Sequence, residues 1–397
     1  MRIGLVCPYD IIGHAGGVQQ IVLHQAEGLR RLGHSVKIIT PRPANYDIAP
    51  PKNCIFLGNS RKLKAGLATS GDIGFEIDGS EIDAVLSSEK FDVINFHEPW
   101  LPVLARQIIM RSDAAHVGTF HANLSDSVAG KSLVNMFTPY GRGILEKVDL
   151  LTAVSPAAAS ILTARGPENE LVKSIKYIPN GIDLNRYLTP NTNSFKNSKI
   201  KTVLFIGRLE GRKGIKYLLK AYANLCERRD DVQLLLAGSG PDEHKLRDYV
   251  KEQDIPRVTF LGYISDEDKI HLLHRSDVFC SPATRGESFG IVLLEAMAAG
   301  CPIVAGDNEG YQSVMMETGA ISLVNPKDTV DFSRRLEIML FDEEIRKLWL
   351  KWATKYVKKF DYKIVIAQYE QAYKEAIAIH EEQPKVKNRF SLRRQPR

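Results

Sequence analysis

The feature that most limits what this chain can become is a double series of short, nearly unbroken apolar runs, each followed by a longer segment of helical period. The first series reads Arg2–Cys7, Ser35–Thr40, Phe91–Phe96, His116–Phe120 and Leu150–Val154. The second reads Thr202–Gly207, Val232–Ala237, Val258–Leu261, Val278–Ser281, Pro302–Ala305 and Ile321–Val324. Runs apolar on successive residues fit strands buried on both faces of a parallel sheet. Between them, Val18–Leu32, Ile215–Glu227, Phe289–Ala299 and Asp342–Lys359 predict covering helices. The expected class is α/β: two doubly wound, Rossmann-like domains, residues 1–190 and 191–361, facing a central crevice. The polar, non-periodic stretch Asn180–Lys201 marks the linker. A helix over Tyr362–His380 is expected to pack back on the first domain, and residues 384–397 to form a disordered basic tail. Ligands in such sheets bind beyond the carboxyl ends of the strands.

Composition narrows the class further. At 397 residues, 44% hydrophobic and 25% charged, the chain is neither collagen-like, nor a disulfide scaffold, nor wholly disordered. No apolar run reaches the roughly 18 residues of a membrane span, and MRIGLVCPYD enters a strand without a leader pattern. Five scattered cysteines without a C-x-x-C read as buried thiols in a reducing compartment. The net charge of +6 sits in Pro384–Arg397; the remainder carries 47 basic and 47 acidic residues. A general nucleic-acid surface is therefore not expected, and the tail either touches an anionic surface or stays solvated.

Three segments carry chemistry. Gly13-His14-Ala15-Gly16-Gly17-Val18 follows the first strand and opens a helix. Paired glycines let N–H groups approach an anion there, although a bare tight turn reads the same way. Gly207-Arg208-Leu209-Glu210-Gly211-Arg212-Lys213-Gly214 follows a buried strand. Arg208 and Lys213 lie where a diphosphate can be gripped, the alternative being a solvated basic loop. In Arg285–Met297, Glu287 and Glu295 stand eight residues apart. Eight residues at about 100° each would bring both carboxylates to one helix face, with the N–H groups near Ser288–Gly290 turned to phosphate. A helix-start acid plus a buried Glu paired with Lys is the plainer reading. His121 and His97 end neighbouring strands, as core residues or facing one crevice; the pair alone does not define a metal site. Asp266-Glu267-Asp268 has a D-x-D pattern, but Ser265 before it points to helix capping.

Together these segments resemble a known family. IGLVCPYD…GGVQ, FHEPW, GTFHAN, the AVS and IPNGID segments, GRLEGRKG and GESFGIVLLEAMAAGCPIVA are similar to those of retaining, GT-B-fold family-4 glycosyltransferases, over nearly residues 1–380. Within them the chain is similar to the bacterial phosphatidylinositol mannosyltransferases. The resemblance implies hexose transfer from a nucleoside diphosphate sugar, GDP-mannose over UDP-sugars, to a lipid-linked or glycan hydroxyl. It implies no metal and no further cofactor. Carried over residue by residue, Arg208 and Lys213 hold the diphosphate, with Gly16, Gly17 and the backbone of Ser288, Phe289, Gly290 and Ile291. Glu287 meets the donor sugar, Glu295 the ribose, and Tyr263–Ile264 the base. His121 lies beside the transferred sugar, and Tyr9 and Gln19 face the acceptor. Peripheral contact with anionic membrane at the cytoplasmic face is implied as well, and nucleic acid is not. A sugar-nucleotide epimerase, a phosphorylase and a non-catalytic nucleotide- or glycan-binding module are the alternatives. Two departures bear on the acceptor. The subgroup's basic amphipathic helix is replaced by the acidic Gly79–Lys90, with Arg61-Lys62-Leu63-Lys64 or the tail as substitutes. Asn123, Ser125 and Asp126 stand where the subgroup tends to place a Lys.

Overall fold

The computed structural model describes residues 1–12, 16–43, 49–62, 72–75, 78–101, 104–123, 143–163, 174–188 and 199–382. Gly13–Ala15, Lys64, Ser125, Asp126 and the basic tail lie outside the described residues. The first sheet holds β1 (Arg2–Val6), β2 (Ser35–Arg42), β3 (Cys54–Lys62), β4 (Asp72–Phe75), β5 (Val93–His97), β6 (Ala115–Phe120), β7 (Leu150–Ala153) and β8 (Ile175–Tyr177). Their order is β4-β3-β2-β1-β5-β6-β7-β8, parallel throughout except for β4, which runs against β3. The second sheet holds β9 (Lys201–Ile206), β10 (Val232–Ala237), β11 (Val258–Gly262), β12 (Val278–Ser281), β13 (Ile303–Gly306) and β14 (Leu323–Val324). It is fully parallel, in the order β11-β10-β9-β12-β13-β14.

Both sheets therefore change winding direction at one strand, β1 in the first and β9 in the second. Such switch points leave a crevice beyond the strand ends, because the flanking crossovers run to opposite sides. Interior strands β5, β6, β7, β12 and β13 are buried at every residue, as their unbroken apolar runs require. β3, β4 and β8 were not expected from sequence. β4 and β8 are edge strands of four and three residues without an apolar run, whereas β3 opens on the short apolar run Cys54–Leu57 and turns polar beyond it. The expected strand at Ile321 begins at Leu323 instead, because Glu317–Ser322 forms a 3₁₀ turn.

The helices are α1 (Gly17–Arg31), α2 (Gly79–Glu89), α3 (Leu104–Ile109), α4 (Pro156–Thr163) and α5 (Leu184–Leu188) in the first part of the chain. They continue as α6 (Ile215–Cys226), α7 (Glu243–Glu252), α8 (Asp266–Arg275), α9 (Ile291–Ala298), α10 (Glu309–Gln312), α11 (Thr329–Phe341), α12 (Glu343–Tyr356) and α13 (Tyr362–Glu382). α13 lies on α1, β5, β6 and β7, burying Val365, Ile366, Tyr369, Ala372, Tyr373 and Ala376. Its entry is fixed by a bridge: Ile182 N–H donates to Phe360 O at 2.9 Å, and Tyr362 N–H to Ile182 O at 3.0 Å. All five cysteines are free thiols, Cys7, Cys280 and Cys301 fully buried. Among the described residues no helix is long and apolar enough to cross a membrane.

Candidate active site

The site-bearing segments sit at the two switch points. On the second sheet, the chain leaves β9 through Gly207 and Arg208 into the 3₁₀ turn Gly211–Lys213. Gly214 then adopts φ +73°, and a Cβ there would lie 2.0 Å from the Pro282 carbonyl oxygen. Only glycine lets this turn press against the loop after β12, and that contact brings the basic residues to Glu287. Lys213 Nζ lies 2.7 Å and Arg212 Nη1 2.9 Å from the same oxygen, Glu287 Oε1. Arg212 is gripped again by Glu210, its Nε 2.7 Å from Oε1. Arg212 was not expected from sequence; its signal lay in the same basic loop, where Arg208 and Lys213 drew the reading. Arg208 has Nε 3.5 Å from Glu210 Oε2, and its side chain is 54% exposed.

Glu287 belongs to no helix. Gly290 at φ +102° separates it from α9, and a Cβ on Gly290 would meet the Tyr311 ring at 2.8 Å. The equal-face argument for Glu287 and Glu295 therefore does not hold: one carboxylate is set by a loop, the other by a helix. Each has its own cations. Glu295 Oε1 takes Lys269 Nζ from α8 at 2.8 Å and the Tyr187 hydroxyl from α5 at 2.8 Å. Burial opposes the Lys269 charge, but Glu295 and Asp266 outweigh it and raise the ammonium above its ordinary pKa. Burial, with Glu295 beside it, also pushes the Tyr187 phenol up. The plainer sequence reading, a buried Glu paired with Lys, is met by Lys269, 26 residues away; Tyr187, 108 residues away, was not expected.

The start of α9 has no side-chain cap, and no backbone carbonyl among the described residues accepts from the N–H groups of Ser288 to Val292. Free donors with the helix dipole behind them are the arrangement that suits an anion. Phe289 turns the other way, 4% exposed with its ring against Phe360, so its side chain is core and only its backbone faces the crevice loop. Tyr263 follows β11 with its side chain 86% exposed, and Ile264 leads into the capping box of Ser265 and Asp268. The D-x-D segment is thus a helix start.

On the first sheet, Gly16 is the N-cap of α1 and Gly17 its first residue. Among the described residues a Cβ on Gly17 would meet nothing within 4 Å, while one on Gly16 would lie 2.8 Å from Gln19 Oε1. Tyr9 is buried, and Gln19 Nε2 lies 3.4 Å from the Asp10 carbonyl. Beyond β5 and β6, His97 Nδ1 and His121 Nε2 stand 2.8 Å apart. Burial holds both imidazoles below their ordinary pKa, His121 down to about 3. Glu98, at φ +53°, fastens this corner: its Oε1 accepts from His121 N–H at 2.8 Å and Ala122 N–H at 2.6 Å, and Oε2 takes the Trp100 indole. Burial pushes Glu98 up to about 7 against these donors.

The two halves touch at Ser288. Asn123 N–H donates to its hydroxyl at 3.0 Å, and the Ser155 hydroxyl donates to its carbonyl. His121 is two residues before Asn123, and Glu287 is next to Ser288, so imidazole and cation cluster flank one interdomain contact.

A cationic strand-end loop and a free helix end in one doubly wound domain, set across from a glycine turn and neutral imidazoles in another, make a GT-B glycosyltransferase. Known proteins agree. Residues 191–356 match the family described as Glycosyl transferases group 1, and residues 15–186 match Glycosyltransferase Family 4. The phosphatidyl-myo-inositol mannosyltransferase of Mycolicibacterium smegmatis is 32% identical over 381 residues, 94% of this chain and 93% of that protein. A GDP-mannose-dependent monoacylated alpha-(1-6)-phosphatidylinositol monomannoside mannosyltransferase of Corynebacterium glutamicum is 32% identical over 268 residues, 62% of this chain and 68% of its own length. The fold is shared with the sucrose-phosphate synthase of Thermosynechococcus elongatus, at TM-score 0.74 and 23% identity over 95% of this chain and 99% of that one. An Anabaena protein solved with UDP and glucose aligns at TM-score 0.69 and 18% identity, over 94% and 99%. This chain belongs to glycosyltransferase family 4.

Proposed function

We propose that the chain transfers mannose from GDP-mannose to a hydroxyl of a phosphatidylinositol-type lipid, with retention of anomeric configuration and without a metal ion. The observation that carries this reading is the near full-length similarity to a phosphatidyl-myo-inositol mannosyltransferase. The site supports the chemistry. Departure of a nucleoside diphosphate builds negative charge, and preorganised cations and N–H donors stabilise it. Here Lys213, Arg208 and the start of α9 supply them, with Gly16 and Gly17 closing from the opposite domain. Glu287 accepts hydroxyls of the transferred sugar, Glu295 those of the ribose, and Tyr263–Ile264 flank the base. The leaving phosphate takes the acceptor proton on the same face, so no protein nucleophile is needed. His121 lies beside the transferred sugar, and Tyr9 and Gln19 face the acceptor.

Contact with the membrane is peripheral in this reading. α2 does not supply it, since Asp78 caps a helix carrying Glu81, Asp83 and Glu89; Arg61-Lys62-Leu63-Lys64 and the basic tail are the remaining candidates. The test is incubation of purified protein with GDP-mannose and phosphatidylinositol vesicles in EDTA, reading GDP release, lipid mass and anomeric configuration. One added hexose in α linkage is expected, and loss of turnover at saturating donor in Arg208→Ala and Lys213→Ala. Transfer from UDP-glucose alone overturns the donor, a β product overturns retention, and arrest by EDTA overturns the metal-free step.

A further inference from the structure

Beneath His121 runs a buried polar chain that the proposed reaction does not by itself require. Asn95, His97 and Thr119 are at most 1% exposed. Asn95 Oδ1 accepts from the Thr119 hydroxyl at 2.7 Å. Its Nδ2 donates to the Tyr373 hydroxyl at 2.9 Å and stands 3.3 Å from His97 Nε2. With the amide held that way round, NH₂ faces His97, so Nε2 accepts and the single proton of a neutral His97 lies on Nδ1. That nitrogen is 2.8 Å from His121 Nε2, which therefore accepts in turn. A neutral His121 then carries its proton on Nδ1, a buried atom with no partner among the described residues. Buried polar groups are rarely left unmet, so an unpaired donor beside the crevice calls for an acceptor on the ligand.

We infer that His97 is a positioning residue that fixes the tautomer of His121, so that the crevice presents an Nδ1–H donor, not a lone pair, to an oxygen of the transferred sugar. This rests on the reading that His121 lines the donor-sugar pocket. The tautomer follows from Asn95, whose NH₂ also meets the Tyr373 hydroxyl of α13, an oxygen that accepts from Gln25 Nε2 at 2.8 Å as well, so the C-terminal helix is linked to His121 through Tyr373, Asn95 and His97.

The direct test is the ring-nitrogen spectrum of ¹⁵N-histidine-labelled protein without ligand, with His121 assigned by His121→Ala. An Nδ1–H pattern is expected, and an Nε2–H pattern overturns the inference. The functional test is binding of GDP-mannose analogues deoxygenated or fluorinated at each hydroxyl in turn. Fluorine accepts a hydrogen bond but donates none; binding is read because fluorine also slows bond cleavage. At the position facing His121, the deoxy analogue should bind up to about tenfold more weakly than the fluoro analogue, the worth of one neutral hydrogen bond. His97→Leu should close that gap, and His97→Asn, whose amide N–H replaces Nδ1–H, should restore it. Equal binding of the two analogues at every position in the unaltered protein overturns the inference. If no GDP-mannose binds, the functional reading fails while the tautomer spectrum still judges this one. A His97→Leu variant that does not fold leaves the spectrum and His97→Asn to decide.

Discussion

Glu287 holds two cations on one oxygen, and that arrangement gives a counterintuitive expectation for Glu287→Gln. The substitution keeps the shape and removes one negative charge beside the place proposed for the diphosphate. Lys213 Nζ is 2.7 Å from Glu287 Oε1. If the same ammonium reaches a phosphate oxygen at about 2.8 Å, the carboxylate and phosphate oxygens are at most about 5.5 Å apart. Their repulsion is about 3 kcal/mol at an effective dielectric of about 20, and below 1 kcal/mol in bulk water. Glu287 and Lys213 side chains are 12% and 18% exposed, so the site falls between these limits. Against this gain stands the ordering of a Lys213 that has lost its anchor, about 0.5–1.5 kcal/mol. Arg212 keeps Glu210 and loses less. The net expectation is GDP binding tighter by about 1 kcal/mol, roughly fivefold, at low salt. Hexose transfer should fall at least about tenfold because the carboxylate proposed to hold the sugar loses its charge. Calorimetric titration with GDP at low and high salt reads it, and the gain should shrink with salt. Equal or weaker GDP binding by a folded Glu287→Gln at low salt would refute the charge argument.

Other expectations follow from the same geometry. Tyr187→Phe removes one of two donors on Glu295 and should raise the KM for the nucleotide sugar several-fold while kcat holds, with a stability loss of about 1–2 kcal/mol in urea unfolding. An unchanged KM would detach Glu295 from the nucleoside. Gly214→Ala drives a Cβ to 2.0 Å from the Pro282 carbonyl at φ +73°, so a loss above about 2 kcal/mol is expected in the same assay. The buried imidazoles make stability pH-dependent. Their folded pKa values lie below the ordinary 6.5, so the unfolded chain binds more protons and stability falls as pH drops below 6.5, by about 1.4 kcal/mol per unit per site. Glu98, raised from 4.5 to about 7, acts oppositely, losing stability as pH climbs through that window. Glu98→Gln should therefore steepen the acid-side fall between pH 6.5 and 4.5, and an unchanged slope would mean that Glu98 does not titrate there.

What the sequence disclosed follows burial. Strands at the centre of each sheet are apolar on both faces, so their runs are unbroken and their places were readable within a residue or two. β4 and β8 lacked such a run and left no mark, and that of β3 stops after Cys54–Leu57. The strand-end loops were readable too, because glycines and charges stand out against apolar neighbours. What sat opaque was pairing. Tyr187 and Lys269 reach Glu295 only through tertiary packing of α5 and α8 on α9, and a lone Lys after a helix cap looks like any solvated Lys. The equal-face reading of Glu287 and Glu295 failed for a local reason: Gly290 at positive φ ends the loop and starts the helix, so the carboxylates do not share one helical phase. Glu98 was quoted only as part of a motif, since nothing in FHEPW says that its carboxylate turns to hold the next strand's exit.

Among the described residues the charges of the crevice are unevenly shared, and the proposed reaction gives a reason. As the glycosidic bond breaks, negative charge grows on the diphosphate and positive charge on the anomeric carbon. Arg208, Arg212, Lys213 and the free end of α9 all belong to the C-terminal domain, where the diphosphate is proposed to lie. The N-terminal wall offers instead His97 and His121, which burial keeps neutral. An imidazolium about 5 Å from a developing oxocarbenium centre would cost about 3 kcal/mol at an effective dielectric of about 20, more than a hundredfold in rate. In the proposed reaction, desolvation of the two imidazoles therefore serves electrostatics as well as structure: it withholds positive charge from the wall proposed to face the sugar, while the inferred Nδ1–H remains to meet a sugar oxygen.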